Sequence, residues 1–401
     1  MISLFKEEKM ILATSIVILF VSFTAVSFYT FYTIKYRKGD GLTGSRLEDF
    51  PSVSILEPVR NIDDDVEKNI ESLFLLDYPH FEILFGVDTD EDPIIDIINK
   101  LRAKYPEIES RIIVTGHSSV ENPKIYKLAL MESAAVGDLF WVCDSNIRVE
   151  TDTLQRLVNE YSTNNSKIIF SPVRATGSSS FGSIIENSYF NLFLSGSVIT
   201  AWKLFKKQIV VGKSMLIEKE TLNHFGGFGY FKDYLAEDYM MGETYTESKF
   251  PISTNCTWVT NFSRDTSIKD FYYRMERWAK LRFRLEFHFY LLEIVLNPII
   301  LALFFAAGMG GTKGFIVLAS TLLLKISLEY ANFLFLNPGD SKKFRVLLLL
   351  PFAILVKDII LFVVYLAPFF SSTVNWRGGK ISIGKKTLIA FSQESLLCQG
   401  A

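Results

Sequence analysis

At 401 residues, with 49% hydrophobic side chains and a net charge of −2 at pH 7, the chain is long enough for one or two domains and apolar enough to enter a membrane. So balanced a charge argues against nucleic acid as the partner. Three cysteines (Cys143, Cys256, Cys398) and four scattered histidines (His80, His117, His224, His288) make no zinc-ligand spacing and no obvious disulfide pair.

In chain order, residues 11–34 form an uncharged run longer than the roughly 20 residues a bilayer requires. No small-residue cleavage site precedes the basic flank Tyr36-Arg37-Lys38, so an uncleaved N-terminal anchor is predicted. After Pro51, short apolar runs (53–56, 83–87, 111–115, 139–143) alternate with amphipathic stretches (63–76, 93–104, 124–136). That alternation predicts an α/β domain with a mostly parallel sheet, whose ligands gather at the carboxyl ends of the strands. Acids stand at two of those ends: Asp88, Asp90, Glu91 and Asp92 after the second strand, and Asp144 after the fourth. No G-x-G-x-x-G or P-loop follows the first strand, where the chain reads EPVRNIDDD.

Residues 171–188 read as a Gly/Ser loop, and YFNLFLSGSVITAWKLFKKQ after them as an interfacial helix, with a core helix as the alternative. In GGFGYFKDYLAEDYMMGE, Glu237 and Asp238 sit among apolar neighbours, where carboxylates are costly unless used; acids at a helix start are the plainer reading. On a helix, Arg274, Arg277, Lys280 and Arg284 of RMERWAKLRFR fall within about a third of the circumference. Such a stripe greets anionic lipid or, with Arg277 beside Trp278, grips a phosphate fork-wise. Three further apolar blocks follow, roughly at 289–310, 314–336 and 345–370.

Lys35, Arg37 and Lys38, together with Lys342, Lys343 and Arg345, mark their loops as cytoplasmic. With three simple spans after the domain, the tail carrying Trp376-Arg377-Gly378 emerges on the far side, against the charge of Arg377, Lys380, Lys385 and Lys386. One block is therefore expected to be interrupted. The first candidate is 345–370, which contains Pro351 and Lys357-Asp358; the second is 290–310, with Asn297-Pro298.

Acids at two strand ends, a late Glu-Asp and an Arg-x-x-Arg-Trp helix together resemble the metal-dependent, processive-type glycosyltransferases of the GT-A fold. More closely, the chain resembles ceramide glucosyltransferases (glycosyltransferase family 21), through LDYPHFEILFGVDTDEDPIIDI, ENPKIYKL, LFWVCDSNIRVETDTL, VVGKSML, LAEDYMMGE, RMERWAKLR and TVNWRGGKISI in order. The resemblance implies transfer of glucose from UDP-glucose to the primary hydroxyl of ceramide with inversion, and a Mg²⁺ or Mn²⁺ cofactor. It implies catalytic roles for Asp92, Asp144 and Asp238, with Asp144 on the metal and Asp238 as base. Asn122, Lys124, Arg274, Arg277 and Trp278 match substrate-holding positions. Asn146 stands where the family usually has glycine.

The expected organisation is an anchor (1–35), a GT-A domain (50–270), an interfacial helix (271–288), membrane segments (289–370) and a tail (371–401). This describes a multi-pass membrane protein with its catalytic domain facing the cytoplasm, in a Golgi or ER membrane if eukaryotic and an inner membrane if bacterial. A lipid glycosyltransferase with another donor or acceptor shares every motif. A membrane scaffold with a degenerate transferase domain is the alternative from another class.

Overall fold

The computed structural model describes residues 2–37, 50–62, 65–118, 121–254, 257–337, 339–376 and 379–390. Cys256, Cys398, Lys38, Arg377 and Gly378 lie outside them. The chain opens with helix α1 (Ile2–Lys35) and divides into two compact units. One comprises Tyr36–Thr176, Ala201–Ser263 and Thr387–Ala401; the other comprises Met1–Lys35, Gly177–Thr200 and Arg264–Lys386.

The first of these units is built on seven strands: β1 (Val53–Pro58), β2 (Phe81–Val87), β3 (Ser110–Val114), β4 (Leu139–Cys143), β5 (Ile168–Phe170), β6 (Ser214–Glu218) and β7 (Ile252–Ser253). Their spatial order is β3-β2-β1-β4-β6-β5-β7. β1 pairs parallel with β2 and β4, β2 with β3, and β5 with β7, whereas β6 runs antiparallel to both β4 and β5. The α/β class and the mostly parallel sheet are as expected. Ile55, Ile83, Phe85, Trp141 and Leu216 are wholly buried, each contributing on the order of 1.5–3 kcal/mol through its apolar surface. The Trp141 indole N–H is satisfied by Ser214 Oγ at 3.0 Å. Two helices matter for the site: α2 (Pro123–Ala134) follows β3, and α3 (Glu237–Glu247) follows β6.

The second unit is mainly helical, with one antiparallel strand pair, Thr373–Trp376 and Gly379–Ile383. Its principal helices after α1 are α4 (Ile268–Leu285), α5 (Gly311–Leu336) and α6 (Phe344–Leu366). Among the described residues, three single helical stretches are long and apolar enough to cross a membrane: Ala13–Lys35, Gly311–Leu336 and Phe344–Phe369. Residues 171–188 are not all loop, because Phe181–Tyr189 is helical, started by a capping box between Ser180 and Ser183. A π-helical turn (Phe190–Leu194) and the helix Ser195–Phe205 follow it. Most of 190–200 is buried and so reads as core; the exposed apolar groups, Leu204 and Phe205, come only at the helix end.

The interruption falls at the second candidate. α6 runs unbroken through Pro351, whose missing N–H orphans the Leu347 carbonyl; the Tyr330 hydroxyl donates to that carbonyl at 3.4 Å. By contrast, Phe287–Leu296 and Pro298–Met309 meet at 67°. Asn297 joins them, capping the second helix through Ile300 N–H and donating to Asp358 O at 2.8 Å.

The charges of α5 and α6 face one another. Lys325 Nζ lies 2.6 Å from Glu329 Oε1 and 3.6 Å from Asp358 Oδ2. Lys357 pairs with Glu329 and, at 3.5 Å, with Asp358 Oδ1. All four side chains are essentially inaccessible, as an apolar surround requires. Ser188 donates to Glu329 at 3.0 Å, and the two ammonium groups sit 4.5 and 4.7 Å from the centre of the Phe193 ring in the π-turn.

Candidate active site

The buried strand β4 ends at Cys143, and Asp144 follows, its N–H held by Lys213 O at 3.1 Å. Its carboxylate is gripped from two sides, with Lys124 Nζ 2.8 Å from Oδ1 and Lys213 Nζ 3.4 Å from Oδ2. Lys124 occupies the first turn of α2, which Asn122 caps by accepting the N–H groups of Lys124 and Ile125, with Pro123 at the favoured first position. From there Lys124 Nζ also donates to Gly212 O at 2.7 Å and faces Glu237 Oε1 at 3.7 Å.

Glu237 and Asp238 open α3, where the helix dipole favours acids. The Asn122 amide donates to Glu237 Oε2 and to Tyr234 O, both at 2.9 Å. Asp238 accepts the Gly212 N–H at 2.7 Å and the Tyr239 N–H at 2.8 Å. Gly212 lacks a side chain for cause, since a Cβ there stands 2.9 Å from the Asp238 carboxylate.

These groups perturb one another. Burial raises the Asp144 pKa, but the opposing charges of Lys124 and Lys213 outweigh it and hold the carboxyl below its usual range. Burial, reinforced by Asp238, pushes Glu237 up to about 7 against the pull of Lys124. Glu57, at the end of β1, is pushed up to about 8 by burial and then by the charge of Asp144. Burial lowers Lys213, whereas for Lys124 Asp144 and Glu237 overcome it and raise the ammonium pKa.

Of the predicted residues, Asp144, Asp238, Asn122 and Lys124 thus come together. Asp92 lies in the same unit, where its carboxylate accepts the N–H groups of Asn61 (3.1 Å) and Ile94 (3.1 Å), fixing the turn after β1 to the start of the helix after β2. Arg274, Arg277 and Trp278 belong to the helical unit. Arg274 pairs with the buried Glu186, and Trp278 packs 5.8 Å from the ring of Phe190. Their helix is no free stripe, since Lys280 is buried against Glu276 and Thr373 O (both 2.6 Å); Arg282, off the stripe, takes Glu293 with two bonds of 2.7 and 2.9 Å.

Sequence reasoning missed Lys213, Glu57 and Glu186. Only Lys213 had a signal, in the segment VVGKSML. Asn146, in the place of the usual glycine, accepts from Lys213 Nζ at 2.9 Å.

Among the described residues no three His, Cys, Asp or Glu side chains cluster as a metal site. Asp144 nevertheless offers two hard oxygens at the open end of β4, and the two ammonium groups on it mark a place for positive charge. One carboxylate completed by phosphate oxygens is a donor set that Mg²⁺ commonly accepts.

The fold defines the class: a mostly parallel α/β domain in a chain that also carries helices long and apolar enough to cross a membrane. Within that class the chain belongs to glycosyl transferase family 21, whose model matches residues 16–389. It is 28% identical to ceramide glucosyltransferase 3 of Caenorhabditis elegans over 61% of this chain and 53% of that one, so it spans about half the length of that relative. With ceramide glucosyltransferase 1 of the same organism it shares 25% identity over 92% of this chain and 78% of the other. A Pyrobaculum calidifontis mannosyltransferase, solved with GDP-Man and Mn²⁺, superposes with a TM-score of 0.49 at 13% identity, over 88% of this chain and 99% of its own.

Proposed function

We propose that this protein transfers glucose from UDP-glucose to the primary hydroxyl of ceramide, inverting the anomeric centre. The observation that carries the proposal is the Glu237-Asp238 pair held beside Lys124 and Asp144 in a family-21 chain. In the reaction the ceramide oxygen bonds to the anomeric carbon as the bond to the diphosphate oxygen breaks. UDP departs with that electron pair, and the hydroxyl proton passes to Asp238. No carboxylate can deprotonate an alcohol in advance, so the position of the base matters more than its strength.

Lys124 and Lys213 supply positive charge near Asp144, and Asn122 holds Glu237 in place. Arg274 and Arg277, with Trp278, are assigned the diphosphate on the strength of the motif they match, and Asp92, with Asp144, the holding of the donor. Asp144 would hold a Mg²⁺ or Mn²⁺ ion, which would supply charge relief for the departing diphosphate. Glu237, with its proton affinity near neutrality, is the second reading for the base. The basic loops after α1 and before α6 support a catalytic domain on the cytoplasmic side.

The test is to give purified protein in lipid nanodiscs a panel of nucleotide sugars and of ceramide, sterol and diacylglycerol acceptors. β-Glucosylceramide from UDP-glucose supports the proposal. Preference for another sugar or lipid replaces its substrates, and absence of nucleotide-sugar binding in a calorimeter points to a scaffold.

A further inference from the structure

The segment Thr387-Leu388-Ile389 lies on the four residues that lead into Glu237-Asp238. Thr387 O accepts the Leu235 N–H at 3.0 Å, and Thr387 Oγ1 faces the Ala236 N–H at 3.4 Å. Leu388 bridges Tyr234 in antiparallel fashion, and Ile389 N–H donates to Asp233 O at 2.8 Å. Thr387 is wholly buried, with φ at 63°, a backbone region that β-branched residues seldom occupy. Such a conformation persists only where its surroundings enforce it.

The other side of the same loop is held by α2. Asn122 N–H donates to Lys232 O at 2.7 Å, and its side chain donates to Tyr234 O at 2.9 Å. Residues 232–236 are thus tied by the capping residue that also fixes Glu237 and by a strand contributed from some 150 positions later in the chain.

We propose that residues 387–389 are a positioning strap: by backbone pairing with Asp233–Ala236 they set the first turn of α3 and hold the Asp238 carboxylate at its working place against Gly212 N–H. This rests on the reading of Asp238 as the base, but the strap itself is measurable without it. Its contacts are nearly all main-chain, so one backbone donor can be removed while the side-chain contacts change little. Ile389→Pro deletes the N–H given to Asp233, whereas Ile389→Ala keeps it; ending the chain after Lys386 removes the whole strap.

In hydrogen exchange, the peptide covering 232–240 should exchange about tenfold or more faster in the truncated chain, with strands β1 and β4 unchanged. In turnover, Ile389→Pro should lower kcat about tenfold with the donor KM within about threefold, while Ile389→Ala stays within about twofold of wild type. Unchanged exchange at 232–240 overturns the strap whatever the activity. So does a kcat that survives truncation, or a loss of kcat in Ile389→Pro that Ile389→Ala reproduces. Faster exchange in a protein that transfers no sugar at all leaves the strap standing and removes the proposed function instead.

Discussion

Asp238→Asn separates proton acceptance from position. The two carboxylate oxygens take the N–H groups of Gly212 (2.7 Å) and Tyr239 (2.8 Å), and an amide can keep only one of these bonds. Losing a hydrogen bond to a charged group costs about 1.5–3 kcal/mol, and the residue is only half-buried, so the lower end applies. Misplacement on that scale slows turnover by roughly ten- to thirtyfold. Loss of a positioned base costs about 10²–10⁴. A rate loss well beyond thirtyfold therefore reports chemistry and not geometry. The assay is initial-rate transfer from UDP-glucose to ceramide in nanodiscs, paired with calorimetry of donor binding. Binding should be nearly unchanged in Asp238→Asn and weakened in Asp144→Asn. If Asp238→Asn transfers within tenfold of wild type, or loses the donor as badly as Asp144→Asn does, the base is Glu237 and Glu237→Gln should show the larger loss.

Three further outcomes are expected. The Glu57 carboxyl titrates near 4.5 when unfolded and near 8 when folded, so the native state holds a proton that the unfolded chain releases between those values. Stability therefore falls as pH rises across that window, and Glu57→Gln should flatten the decline in melting temperature between pH 5 and pH 8; an unchanged pH slope would sink the assignment. Arg277→Ala should lower turnover about ten- to a hundredfold while leaving the protein as resistant to alkaline extraction from membranes as wild type. Excess EDTA should abolish turnover and Mn²⁺ or Mg²⁺ restore it, with full activity in EDTA as the contrary result.

The sequence carried the first four strands and three helices of the α/β unit to within a few residues, because short buried runs and amphipathic stretches alternate there with little ambiguity. It did not carry β6, whose SMLIE reads like any other strand: antiparallel insertion between β4 and β5 is decided by pairing across the sheet and leaves no local mark. Asp144 and Glu237-Asp238 were visible as charges in apolar surroundings. Glu57 and Glu186 were not, since their burial is settled by distant elements. Lys357-Asp358 looked like a break in a span. In the structure α6 runs unbroken through it, and Lys325 and Glu329 on α5 pair with its two charges.

That four-charge cluster also bears on how the protein is made. Each of α5 and α6 brings one lysine and one acid, so neither carries net charge at that depth. Even so, a lysine or aspartate at the centre of a lone span costs about 2.5–3.5 kcal/mol on entering lipid. Either helix released singly from the insertion machinery bears that cost; the two released as a hairpin do not. Their short connection, residues 337–343, lets them pair while still sheltered. Synthesis order and electrostatics then favour the entry of α5 and α6 as one unit, and a mutation in either lysine is expected to be felt first as slow or incomplete biogenesis.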